Sequence, residues 1–137
     1  LDLGSPLLEQ LATCWLLDNE HQLLPERRRL LTARRDMCAA LMHEYFPQWK
    51  FVLPEGGLSF WVELPEMMAT RFAARAEASA IHLGVGTRFG LAGSGERNLR
   101  IPFTLDDETL RRAFSTLQPI WATLAGQHGA NKVRKII

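Results

Sequence analysis

Arg100 stands in the middle of an otherwise apolar run, Leu99-Arg100-Ile101-Pro102-Phe103. A lone guanidinium in such a strand must be paired or must face a cavity. Two chemistries fit: a structural ion pair with Glu63 or another acid, or a bidentate clamp on a small carboxylate ligand, which suits arginine's planar fork. Just upstream, the stretch from Gly84 to Gly95 holds five of the chain's ten glycines. Such a loop must bend sharply or approach something closely, and it would let backbone reach the same ligand. Trp61, on the polar side of its own strand, could be core, interface or pocket wall, with core or interface as the first reading.

Other reactive side chains form no constellation. His21, His43, His82 and His128 are scattered, none at a metal-ligand spacing from Cys, Asp or Glu, so no metal site is expected. Cys14 and Cys38 lie among apolar neighbours and read as small buried hydrophobes rather than nucleophiles. There is no G-x-S-x-G elbow and no P-loop. Gly84-Val85-Gly86-Thr87-Arg88-Phe89-Gly90 lacks the third spaced glycine of a dinucleotide fingerprint and leads into more loop. Arg27-Arg28-Arg29 and Arg34-Arg35 are interrupted by acids and read first as a solvated helix face, with contact to an acidic neighbouring domain as the other reading. No catalytic residue is assigned.

The chain has 137 residues, 47% hydrophobic and 23% charged, with a mean hydropathy of −0.08. That is one domain's length and enough to bury a core. No apolar run approaches the roughly 20 residues of a membrane helix. A formal net charge of +1 gives no footprint of a nucleic-acid binder. Two cysteines are too few for a disulfide scaffold, which favours a reducing, cytoplasmic compartment. Because the chain begins with Leu1 and shows no secretory leader, it reads as a part of a longer one.

The elements that must position these residues follow from periodicity. Residues 5–17 predict a short helix with Ser5 as N-cap and Pro6 at the first helical position, and residues 18–24 a polar break. Pro25 opens the longest predicted helix, to about Phe46, with an apolar stripe of Leu30, Ala33, Met37, Leu41 and Tyr45. The period then alternates. Residues 49–53 and 58–64 predict a hairpin around Pro54-Glu55-Gly56-Gly57, with Leu58, Phe60, Val62 and Leu64 on one face. A helix over 65–80, a strand at 81–85, the glycine loop and a strand at 99–103 follow. Thr104, with an acid three residues on, reads as a capping box for the last helix, which should kink at Pro119 and stop at Gly126. The expected class is α+β: a two-layer sandwich, a small mostly antiparallel sheet packed by helices.

Taken together, Arg34-Arg35-Asp36, then Pro54-Glu55-Gly56-Gly57-Leu58-Ser59-Phe60-Trp61, then Gly86-Thr87-Arg88-Phe89, then Asn98-Leu99-Arg100-Ile101-Pro102-Phe103 resemble the C-terminal part of class I/II aminotransferases. These are fold type I proteins dependent on pyridoxal-5′-phosphate (PLP). The phrasing from Leu99 to Thr104 is most similar to the MocR group of bacterial regulators, which join a GntR-type winged-helix DNA-binding domain to an aminotransferase-like effector domain. The resemblance covers nearly all of residues 1–126. Val85 stands where many relatives have proline.

The resemblance implies that residues 1–23 are the end of a large cofactor domain with a linker helix and 24–126 the small C-terminal domain; residues 127–137, read by themselves, are a flexible tail. It implies that Arg100 grips the carboxylate of an amino-acid-like ligand, with Gly56 and Gly57 in a ligand-proximal loop. PLP would be held by an upstream domain, because Lys50, Lys132 and Lys135 lie outside the context of the family's Schiff-base lysine. It also implies a homodimer that touches DNA only through a separate N-terminal domain. Three readings follow: a fragment of such a regulator, the small domain of a genuine aminotransferase, or a stand-alone structural module.

Overall fold

The computed structural model describes residues 6–90 and 95–134, and side chains as far as residue 126. Ser5, expected to cap the first helix, lies outside the described residues. The chain divides into two compact units, residues 1–33 and 34–137.

In the first unit, α1 (Leu7–Asp18) starts after Pro6, which makes no side-chain cap. Proline lies just before the helix rather than at its first position. The expected seven-residue break shrinks to Asn19, because α2 (Glu20–Tyr45) begins immediately after it. Asn19 closes one helix and opens the next. Its N–H and its Nδ2 both donate to the Trp15 carbonyl, at 3.1 and 2.8 Å, while its own carbonyl accepts from Gln22 and Leu23. Pro25 therefore falls inside α2 instead of opening it. The carbonyl it leaves without an amide partner belongs to exposed His21, where water can take the bond. Cys14 is exposed, not buried, as are Leu7, Leu8, Leu11 and Trp15 around it. Arg29 holds Glu26 through two bonds of 3.0 and 2.8 Å, which keeps that carboxyl below its ordinary range.

The second unit is built on a four-stranded antiparallel sheet in the order β1-β2-β4-β3, comprising β1 (Lys50–Phe51), β2 (Ser59–Glu63), β3 (Gly84–Val85) and β4 (Asn98–Pro102). The predicted hairpin is present, pairing Lys50 with Glu63 and Phe51 with Val62. Its first strand is only two residues long. Val52 and Leu53 run unpaired toward Pro54, which has no N–H to give a ladder. In β2 and β4 alike, burial alternates: Phe60, Val62, Leu99 and Ile101 are buried, while Trp61, Glu63 and Arg100 are exposed. One face of the sheet is thus packed and the other open, the two-layer α+β arrangement. Leu58, expected on the packed face, is instead 54% exposed, one residue before the ladder begins.

The packed face meets aromatic side chains from the helices and their connections. Phe46 and Trp49 stack at 3.9 Å and 7° between planes. Trp49, Phe72 and Trp121 meet edge-on at 5.3–5.9 Å. Each such pair contributes about 0.5–1.5 kcal/mol beyond its buried area. Phe72 comes from α3 (Ala69–Glu77) and Trp121 from α4 (Asp107–Arg134), which buries Leu110, Phe114, Leu117, Trp121 and Leu124 at helical spacing.

α3 is shorter than the predicted 65–80. Its start is set by a residue far along the chain. The Glu96 carbonyl accepts from the Ala69 N–H at 2.9 Å, and its carboxylate accepts from the Thr70 N–H and hydroxyl at 3.1 and 2.7 Å. An anion at a helix N-terminus satisfies orphan donors and opposes the positive end of the helix dipole. For α4 the cap is Asp106, not Thr104. Its Oδ1 accepts from the Thr109 N–H at 2.9 Å, and that bond lowers the Asp106 pKa. Thr104 instead offers its carbonyl to Arg34 at 2.7 Å, and Arg35 donates to the Pro54 carbonyl at 3.0 Å. These two arginines are therefore half-buried latches between α2 and two loops, rather than part of a solvated face. α4 holds Pro119 within it and continues through Gly126, the expected stop, to Arg134.

Candidate functional site

The open face of the sheet gathers chemistry that the packed face excludes. Trp61 on β2 and Arg100 on β4 are direct cross-strand partners. On the other side of Arg100, its partner on β3 is Gly84. A Cβ at Gly84 would come within 3.1 Å of the Arg100 carbonyl and 3.4 Å of its Cβ, so the missing side chain leaves the arginine stem uncrowded.

What fixes Arg100 in place is the loop before β4. Gly86 and Gly95 bring their backbones together so tightly that a Cβ on Gly86 would overlap the Gly95 carbonyl. Gly95 adopts φ +88°, and its carbonyl then accepts from the Asn98 N–H at 2.9 Å. The close approach expected of this loop is one glycine backbone against another. Glu96 caps α3, and Arg97 reaches the Leu64 and Pro65 carbonyls. β4 thus starts from a stitched segment.

The ion-pair reading of Arg100 does not hold among the described residues. Glu63 is paired along the ladder with Asn98 and Lys50, and no carboxylate lies within ion-pair distance of Arg100. Its guanidinium carbon lies over the Phe89 ring instead, 5.0 Å from the centroid. Trp61 meets the same ring at 5.9 Å and 79°. Trp61 is not a core residue; it is half exposed. Beside it an open groove of about 350 Å³ is lined by Lys50, Phe51, Val52, Glu63 and Asn98. A cation on an open face, with an aromatic ring beneath it and no acid against it, has its N–H donors free to take an anion.

Gly56 and Gly57 fall in the connection between β1 and β2. Gly57 adopts φ +80°, the left-handed turn conformation, and no described atom lies within 4 Å of where a Cβ would stand on either. The connection is joined to the end of β4, where the Phe103 N–H donates to the Leu58 carbonyl at 3.1 Å. In the sequence Phe89 stands out only as part of the run Gly86-Thr87-Arg88-Phe89, with no role given to it there; it belongs to no apolar period, and only the fold of the glycine loop carries it to Arg100. Gly84 gave no signal beyond its place in a glycine-rich run.

The described residues do not by themselves fit PLP. Lys50 lies in an exposed strand whose ladder partner is Glu63. The N-terminus of α3, where a phosphate could bind, already holds the Glu96 carboxylate, which would repel one. Among the described residues no three His, Cys, Asp or Glu cluster as metal ligands, and no helix is long and apolar enough to cross a membrane.

No family profile and no curated protein sequence matches the chain. Solved structures do. The α-aminoadipate aminotransferase of Thermus thermophilus, solved with N-(5′-phosphopyridoxyl)-L-leucine, matches with a TM-score of 0.82 and 25% identity over 92% of this chain and 33% of its own. A multiple substrate aminotransferase of Thermococcus profundus matches with a TM-score of 0.68 and 25% identity over 77% of this chain and 27% of its own. An aminotransferase of Staphylococcus aureus gives a TM-score of 0.64 and 27% identity over 77% and 28%. The chain spans a third or less of the length of these proteins. A sheet packed on one face, with the rest of the likeness running nearly end to end, gives this chain the fold of an aminotransferase-like fragment.

Proposed function

We propose that this chain is the C-terminal effector part of a PLP-dependent regulator of the MocR type, in which Arg100 binds the carboxylate of an amino-acid-like ligand. The observation that carries the reading is Arg100 itself, a guanidinium on an open sheet face with no acid against it among the described residues. The likeness to PLP-bound aminotransferases supports the cofactor side of the proposal. The regulator side rests on the resemblance of Leu99 to Thr104. An upstream domain supplies the lysine and cradles PLP, and a separate N-terminal winged helix touches DNA. The assembly is a cytoplasmic homodimer. Ligand binding favours one arrangement of the domains over another, which is how a small molecule moves a DNA-binding arm. A second reading, a genuine aminotransferase, is favoured by the activities named for the solved neighbours.

The test uses the full-length protein with PLP. Amino-acid binding is measured by calorimetry, keto-acid formation by turnover, and mobility of its own upstream DNA with and without amino acid. Arg100→Ala weakens binding by roughly ten- to a hundredfold, since hydrogen bonds to charged groups contribute about 1.5–3 kcal/mol. A regulator shifts DNA and forms no keto acid; an aminotransferase does the reverse. Unchanged binding in Arg100→Ala removes the arginine from the site.

A further inference from the structure

Phe89 is a large aromatic residue left 53% exposed on the open face, and Trp61 beside it is 48% exposed. Their rings meet edge to face, and Arg100 lies over the Phe89 ring at 5.0 Å. The backbone sets where Phe89 stands. It follows the 3₁₀ turn Gly86–Arg88, its N–H donates to the Gly86 carbonyl at 2.9 Å, and Gly86 is pressed against Gly95. On β3 the ladder partner of Arg100 is Gly84, which offers no side chain to steady a long flexible arginine. Phe89 provides the contact that the cross-strand residue lacks. The face of the ring attracts the cation while leaving its N–H donors outward.

From this arrangement we infer that Phe89 is a positioning residue for Arg100, holding the guanidinium ready for a carboxylate through its ring face. The inference rests on the proposed carboxylate-binding role of Arg100 and deepens it. Without the ring, the arginine must give up rotamer freedom at the moment of binding. Phe89 itself touches no ligand in this scheme, so its effect is felt only by ligands that engage Arg100.

The test again uses the full-length protein with PLP. The twenty common L-amino acids are screened by calorimetry, and the tightest is compared with its amide, which lacks the carboxylate. An exposed cation–π contact of about 0.5–1 kcal/mol corresponds to a roughly two- to fivefold change in affinity. Phe89→Leu therefore weakens the acid two- to fivefold and leaves the amide unchanged. Phe89→Met, a second side chain without a ring, repeats that result, and Phe89→Tyr restores wild-type affinity. Equal weakening of acid and amide, no weakening at all, or failure of Phe89→Tyr to restore binding overturns the positioning role while leaving Arg100 untouched. If no amino acid binds the wild type, or Arg100→Ala binds as well as wild type, the carboxylate reading itself fails and the role of Phe89 falls with it.

Discussion

Gly86 and Gly95 lie backbone to backbone: a Cβ placed on Gly95 would come 2.7 Å from the Gly86 carbonyl oxygen, and Gly95 turns with φ +88°. No side chain of either residue could be accommodated by a neighbour's rotamer, because the closest atoms met are main chain and the Asn98 Cβ beside Gly86 is fixed to the backbone. This contact closes the loop that feeds β4, and so it sets the placement of both Phe89 and Arg100.

Gly86→Ala consequently forces backbone to move. We expect a loss of about 1–3 kcal/mol, the range for overpacking a filled site. Gly56→Ala, with nothing within 4 Å and no positive φ, is the matched control and changes little. Denaturant unfolding followed by tryptophan fluorescence measures both, and equal midpoints for the two variants contradict the contact.

Glu96 closes the first turn of α3 from the far side of the glycine loop. Removing its carboxylate in Glu96→Ala costs about 1 kcal/mol, as for other N-terminal caps. The Thr70 amide should then exchange its hydrogen faster than in wild type. Unaltered protection at Thr70 means the cap contributes nothing.

Asp106 gives the chain an acid-sensitive helix end. The Thr109 backbone N–H, then the Thr109 side chain, and to a lesser degree the charge of Arg34, lower its folded pKa. Because the folded value lies below the unfolded one, its stabilising contribution is complete above the unfolded pKa of about 3.9 and fades as pH falls through the folded value. Asp106→Asn keeps a capping oxygen but cannot titrate. Its unfolding midpoint should depend less steeply on pH between about 4 and 2 than that of wild type. Parallel curves for the two proteins refute the assignment.

The two thiols should separate cleanly. Cys14 is exposed, whereas Cys38 is fully buried and its pKa is pushed up to about 12 by that burial. Since the thiolate is the reactive form, a maleimide should label Cys14 in the native protein and Cys38 only in denaturant. Native labelling of Cys38 at a comparable rate would mean that α2 opens locally.

What the sequence reveals and what it hides divide along a physical line. Alternation in 58–64 disclosed β2 and its packed face, because period-two burial repeats locally; the apolar run 99–103 disclosed β4, but not that Arg100 stands on the open face. The buried stripe of α4 repeats at the helical period, an equally local signal. Contacts between a side chain and a distant part of the chain carry no period: Arg34 donating to the Thr104 carbonyl, Arg35 to the Pro54 carbonyl and Thr70 to the Glu96 carboxylate look like ordinary surface residues in the sequence. Pro25 misled for a different reason. Proline opens helices often enough to read as a start, but Asn19 already turns the chain, and an exposed helix tolerates one absent bond. Cys14 was misplaced because apolar spacing on α1 implies burial, while that whole helix is exposed.

The strand order has a consequence for how the protein is made. β4 is the last strand to be synthesised, yet it lies between β2 and β3. When a growing chain has emerged only as far as β3, it can offer the β1–β2 pair, a two-stranded ribbon of marginal stability in water, and a two-residue β3 with no partner. Closing the sheet requires pairing across α3 and the glycine loop, a non-local event that pays its loop entropy before any return. The four-stranded sheet can therefore be completed only once Asn98–Pro102 has emerged to pair with β2 on one side and β3 on the other.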